Sequence, residues 1–147
     1  MRSILVVDDD PAILTSVAEA LTDEHFDVHT AAHAEQALGM IERLQPAAIL
    51  SDVRMPGMDG IAFVELLKER HCTADVVLMT AFDDMPTVVA SMRAGAVDFL
   101  VKPLDLDHLM QVITRVLADR NLRVRSDDET LGSAIGTDVR ASPARPR

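Results

Sequence analysis

Short apolar runs recur along this chain at Ile4–Val7, Ala47–Leu50, Val76–Met79 and Val97–Val101, and stripes of helical period separate them. Ile4–Val7 and Val76–Met79 are apolar throughout, the pattern of strands buried on both faces of a parallel sheet. Phe26-Asp27-Val28-His29 alternates instead, which suits an edge strand with one wet face. The helical stripes are Ile13, Val17 and Leu21; Ala37, Leu38, Ile41 and Leu44; Val64 and Leu67; Met85, Val88, Val89 and Met92; and Leu106, Leu109, Met110, Ile113 and Leu117. Asp10 before Pro11 predicts a capped helix start, and Gly95 predicts a helix end. Five strands alternating with five helices define an α/β fold built on a doubly wound parallel sheet.

Composition narrows the class. Of 147 residues 48% are hydrophobic, with no Trp, no Tyr and four Phe, so a real core must be built mainly from aliphatic side chains and Met. The formal net charge of −10 argues against direct nucleic-acid binding through phosphates. A single cysteine, Cys72, rules out an internal disulfide scaffold. The apolar runs are far shorter than the ~20 residues of a membrane span, and Met1-Arg2-Ser3 leads into a run that stops at three aspartates rather than a secretory signal. A cytoplasmic protein without membrane contact is expected. Charge is uneven: residues 1–119 carry a net of −12 and residues 120–147 a net of +2, the latter rich in Arg, Ser, Pro and Gly. A compact domain over 1–120 and a poorly ordered tail over 121–147 are expected.

Open α/β sheets bind ligands beyond the carboxyl ends of their strands, where the strand order reverses. Asp8, Asp9 and Asp10 follow the first predicted strand, Asp52 the third, Thr80 the fourth, and Lys102-Pro103 the fifth. Singly, each has an ordinary structural account: Asp10 caps a helix, Thr80 is a loop threonine, and a lysine after a strand is solvated. Lys102, however, is one of only two lysines, and four strands deliver these groups to one edge. Clustered carboxylates repel and call for a cation. Oxygen ligands of this kind suit Mg²⁺. A carboxylate nucleophile beside a divalent ion, an ammonium and a hydroxyl can receive a phosphoryl group.

Val6-Val7-Asp8-Asp9, Ser51-Asp52-Val53-Arg54-Met55-Pro56-Gly57-Met58-Asp59-Gly60, Thr80-Ala81 and Lys102-Pro103 together resemble the motifs of bacterial response-regulator receiver domains over about residues 3–118. In motif style they are closest to the receivers of nitrogen-regulation and fixation regulators. The resemblance implies a flavodoxin-like strand order 2-1-3-4-5 and a phosphoacceptor at Asp52. It implies Mg²⁺ on Asp9, Asp52 and the Arg54 carbonyl, with Asp8 acting through water. Thr80 and Lys102 would contact phosphoryl oxygens, and Ala81 would leave the site open. The bond to Pro103 would be cis. Phe99 would be the aromatic that turns inward when Thr80 moves. Arg54 and Phe82 would set the dephosphorylation rate.

The implied donor is a sensor histidine kinase or phosphotransfer protein. The implied target is an effector docking on the fourth helix, fifth strand and fifth helix, and a phosphorylation-dependent homodimer is compatible with the same face. The chain would then be a switch rather than an enzyme with a separate substrate. Two other readings stand beside it. One is the N-terminal part of a DNA-binding transcriptional regulator. The other is a Mg²⁺-dependent phosphohydrolase of the haloacid-dehalogenase type, with Asp8 as nucleophile; Asp8-Asp9-Asp10-Pro11-Ala12 departs from that motif at its last position. The histidines show no metal spacing and read as surface residues.

Overall fold

The computed structural model describes residues 2–81 and 85–133, and only the backbone for 124–133. The strands are β1 (Ser3–Val7), β2 (Asp27–Ala31), β3 (Ala48–Asp52), β4 (Asp75–Ala81) and β5 (Asp98–Lys102). They alternate with α1 (Pro11–Asp23), α2 (Ala34–Leu44), α3 (Gly60–Glu69), α4 (Met85–Ala94) and α5 (Leu106–Ser133). All neighbouring strands are parallel, in the flavodoxin-like order β2-β1-β3-β4-β5.

Three of the apolar runs, Ile4–Val7, Ala47–Leu50 and Val76–Met79, occupy the middle of that sheet, and Val97–Val101 runs into its edge strand β5. Ile4, Leu5, Val6 and Val7 are fully buried, as are Ile49 and Leu50, because helices cover both faces. The chain moves one way from β1 to β2 and the other way from β3 to β5. Right-handed crossovers therefore put α1 on one face and α2, α3 and α4 on the other. On the second face Leu5, Val7, Ile49 and Leu78 pack with Ala34 and Ala37 of α2 and with Phe63, Val64 and Leu67 of α3. Edge strand β2 is only half-buried over Asp27, Val28 and His29, as its alternating sequence requires.

Local chemistry sets the helix ends. The Asp10 carboxylate accepts the Ala12 N–H at 2.9 Å, with Pro11 opening α1. Gly95 ends α4 at φ +127°, a backbone conformation that favours glycine. Asp59 caps α3 by accepting the Ala62 N–H at 2.9 Å.

Residues up to Val116 form one unit and a second begins at Leu117. α5 is helical to Ser133, past residue 120, where composition places a boundary. The physical reason is in the sequence. Neither Gly nor Pro interrupts the chain between Pro103 and Gly132, so nothing there breaks a helix. The remaining expected tail, 134–147, lies outside the described residues.

Gly60 positions α3 against the carboxyl end of β3. A Cβ at this position would lie 2.8 Å from both the Asp52 carbonyl oxygen and Val53 Cα. Backbone cannot yield as a flexible side chain can, so Gly60→Ala is expected to destabilise the domain by about 2 kcal/mol. Urea unfolding checks this. A midpoint within error of the wild type would show that α3 is free to slide.

Candidate functional site

β1 and β3 lie side by side where the strand order reverses, so the residues after them share one crevice. Asp8 is fully buried, Asp52 is 7% exposed, and Asp9 turns outward. One carboxylate oxygen from each of Asp8, Asp9 and Asp52 falls in a cluster whose members are all within 4.8 Å of one another. β5 delivers Lys102 from the far side of β4. Its Nζ donates to Asp8 Oδ2 at 2.9 Å and lies 3.3 Å from Asp52 Oδ2.

The remaining bonds hold these carboxylates in place. Asp8 Oδ1 accepts the Asp10 N–H at 2.9 Å, so both Asp8 oxygens are engaged. Asp52 Oδ1 accepts a long bond from the Arg54 N–H at 3.4 Å. The Val53 N–H donates to the Met79 carbonyl at 3.0 Å, and the Gly60 N–H to the Val53 carbonyl at 2.7 Å, which pins the loop after Asp52 on both sides.

Electrostatics follow from this geometry. Burial, and then the charge of Asp8, push the Asp52 carboxyl above its ordinary range, with Lys102 pulling in the opposite direction. Burial works against the Lys102 ammonium. The hydrogen bond to Asp8 and the charges of Asp52 and Asp8 outweigh it, so its pKa is raised. Three carboxylates against one ammonium leave an excess of negative charge. An all-oxygen donor set of this kind fits a hard divalent cation.

The other predicted residues are placed as follows. Thr80 is buried at the end of β4, and its hydroxyl donates weakly to the Ala81 carbonyl at 3.5 Å rather than to Asp52. Ala81 is exposed beside it, and the Lys102–Pro103 bond is cis. Phe99 is half-buried on edge strand β5. In register it faces Leu78 while Val101 faces Thr80, so Phe99 and Thr80 belong to one face of the sheet. Phe82 lies outside the described residues. Gly60, part of the Asp52–Gly60 motif, has a role that its place directly after the capping Asp59 signals, where a helix begins against a strand end.

Residues 4–114 match the family described as the response regulator receiver domain. The chain is 32% identical over 143 residues to the DNA-binding transcriptional regulator NtrC of Proteus hauseri, covering 97% of this chain and 30% of that protein. It is 33% identical over 123 residues to the regulatory protein AtoC of Escherichia coli, covering 84% of this chain and 27% of that one. The chain thus spans about a third of the length of these relatives or less. Among solved structures, the receiver domain of NtrX from Brucella abortus superposes with a TM-score of 0.75 at 36% identity, covering 78% of this chain and 98% of that one. A longer NtrX structure from the same organism gives 0.85 at 33% identity, covering 95% of this chain and 32% of the other. No helix among the described residues is long and apolar enough to cross a membrane. An acid pair and a third acid at a strand-order reversal, a lysine bridging two of them, and a match over most of its length agree: the chain belongs to the response regulator receiver family, in its nitrogen-regulation style, and is a phosphoacceptor switch.

Proposed function

We propose that residues 1–120 work as a receiver domain in which Asp52 takes a phosphoryl group from the phosphohistidine of a sensor kinase or phosphotransfer protein. The observation that carries this is the Lys102 ammonium, 2.9 Å from Asp8 and 3.3 Å from Asp52, beside the three-carboxylate cluster. A carboxylate oxygen of Asp52 forms a bond to phosphorus as the phosphorus–nitrogen bond of the donor breaks, and the donor imidazole leaves with the electron pair. Lys102 moves with the new charge and pairs with a phosphoryl oxygen. Asp8 is a poorer nucleophile because its two oxygens are already held by Lys102 and the Asp10 N–H. That disfavours the phosphohydrolase reading.

Asp8, Asp9 and Asp52, with the Arg54 carbonyl, are the groups that would hold Mg²⁺. When bound, the ion neutralises charge on the phosphoryl oxygens and relieves the repulsion among the acids. The Thr80 hydroxyl then exchanges its weak bond to the Ala81 carbonyl for a charged acceptor, and Phe99 repacks on the same sheet face.

The output face is α4, β5 and the start of α5. Met85, Val89 and Met92 form an exposed stripe at helical spacing on α4, and Val97, Val101 and Leu106 are exposed next to it in sequence. An exposed apolar group of this size suits an effector protein, or a second copy after phosphorylation. Arg54 flanks the acceptor and is placed to influence hydrolysis of the aspartyl phosphate.

Incubation with acetyl phosphate and Mg²⁺, read by intact mass, is expected to add one phosphoryl group to the wild type and none to Asp52→Asn. Uptake by Asp52→Asn at a comparable rate would move the acceptor elsewhere. Lys102→Ala is expected to accept phosphate while losing most of its effector binding, measured side by side with wild type after phosphorylation.

The charge cluster also makes a stability prediction. In EDTA, Asp52→Asn is expected to be more stable than wild type by on the order of 1 kcal/mol, because a carboxylate crowded against Asp8 is removed. At a hundredfold excess over its Kd, Mg²⁺ stabilises wild type by about 2.7 kcal/mol and leaves the variant nearly unmoved. A wild type whose Tm ignores Mg²⁺ would show that the cluster holds no ion.

A further inference from the structure

A cavity of about 280 Å³ opens between the carboxyl-terminal ends of α2 and α3. It lies at the opposite end of the sheet from Asp52, against the residues that lead into β3 and β4. Along β3 alone that separation is about 13 Å at ~3.3 Å per residue. Its floor is apolar: Leu38, Ile41, Leu67 and Cys72 line it and pack on the core cluster beneath. Its rim is charged, with Glu42 contributed by α2 and Arg70 by the end of α3.

One further observation marks this cavity. Among the described residues no ion pair engages Glu42 or Arg70, although both are exposed at its mouth and of opposite sign. Gln45 and His71, which also line it, hold left-handed backbone at φ 49° and φ 58° because α2 and α3 end there. A metal does not fit, since the metal-capable cluster among the described residues is Asp8, Asp9 and Asp52.

We propose that this cavity binds a small zwitterion with an apolar side chain, an apolar α-amino acid. Arg70 pairs with its carboxylate, Glu42 with its ammonium, and the side chain covers Leu38, Ile41 and Leu67. Planar, bidentate Arg70 suits a carboxylate. The apolar floor supplies the burial, and the volume sits just under the usual ~300–1,000 Å³ of small-molecule sites, which favours a single amino acid over a larger ligand. The site is separate from the phosphoacceptor and does not rest on that chemistry.

Cys72 is the chain's single cysteine and lies in the floor, so it reports occupancy directly. The experiment is alkylation of the 147-residue chain by iodoacetamide, followed by intact mass, with L-phenylalanine, 3-phenylpropionate or phenethylamine added. Protection scales as one plus the ratio of ligand concentration to Kd, so phenylalanine at four times its Kd slows alkylation about fivefold. The acid and the amine, each lacking one charge, protect much less at the same concentration. Arg70→Gln and Glu42→Gln each abolish protection while keeping the wild-type Tm, and Asp52→Asn retains it. Titration of Thr73 and Ala74 amide shifts by NMR gives the same Kd. No protection at millimolar phenylalanine, equal protection by the acid or amine, or full protection in either rim variant overturns the proposal.

Discussion

The Lys102 ammonium sets the terms for everything at the carboxyl edge of this sheet. Its ion pairs reach both Asp8, which is wholly buried, and Asp52, which is nearly so. Two like charges 4.8 Å apart repel by about 3 kcal/mol at an effective dielectric of ~20. Three carboxylates within that distance therefore need more than one positive charge to be comfortable. The fold supplies one from β5, and the acidic cluster has the oxygen donors to hold a cation that would supply more. A site that is under-neutralised at rest is responsive by construction, because any added cation or anion rearranges its partners.

That arrangement depends on sheet order. β1 and β3 are adjacent only because the chain reverses direction after β2, and this brings Asp8 and Asp52 together across 44 residues of sequence. Lys102 comes from the edge strand on the other side of β4, and its long stem reaches back over the strand ends. Gly60 adds a steric condition. With no Cβ, α3 starts in contact with the Asp52 carbonyl, and the loop after Asp52 is held by Met79 from one side and Gly60 from the other. The Asp52 carboxylate thus follows a backbone held from two sides.

Much of this was legible in the residues. The doubly wound sheet could be read from Ile4–Val7 and Val76–Met79, since an unbroken apolar run has few uses other than a strand covered on both faces. Asp10 as cap and Gly95 as helix end are local chemistry and needed no tertiary context. The convergence of Asp8, Asp9, Asp52 and Lys102 followed from strand ends alone. Other features depend on packing or on absence. α5 extends beyond residue 120 because no breaker interrupts it, whereas a composition count weighs Ser, Gly and Pro that mostly come later. The direction of the Thr80 hydroxyl is a rotamer choice, which no sequence pattern encodes. The cavity between α2 and α3 arises where two helix ends fail to fill the space before β3 and β4, and that depends on the angle at which they pack.

The size of the switch can be set against these contacts. Moving a two-state equilibrium from 1:99 to 99:1 takes about 5.5 kcal/mol of differential interaction. The hydrogen bond Thr80 gives up is at the limit of bonding distance, 3.5 Å to the Ala81 carbonyl, so little opposes its departure. A new bond to a charged acceptor contributes roughly 1.5–3 kcal/mol net. Lys102 already donates to Asp8 at 2.9 Å and lies 3.3 Å from Asp52, so in the proposed switch its turn to a phosphoryl oxygen exchanges one charged bond for another, and the Thr80 bond is the one that adds. In the proposed switch a resting Thr80 tied by a stronger bond would raise the threshold, so the weakness of its contact to Ala81 lowers what phosphorylation of Asp52 must supply.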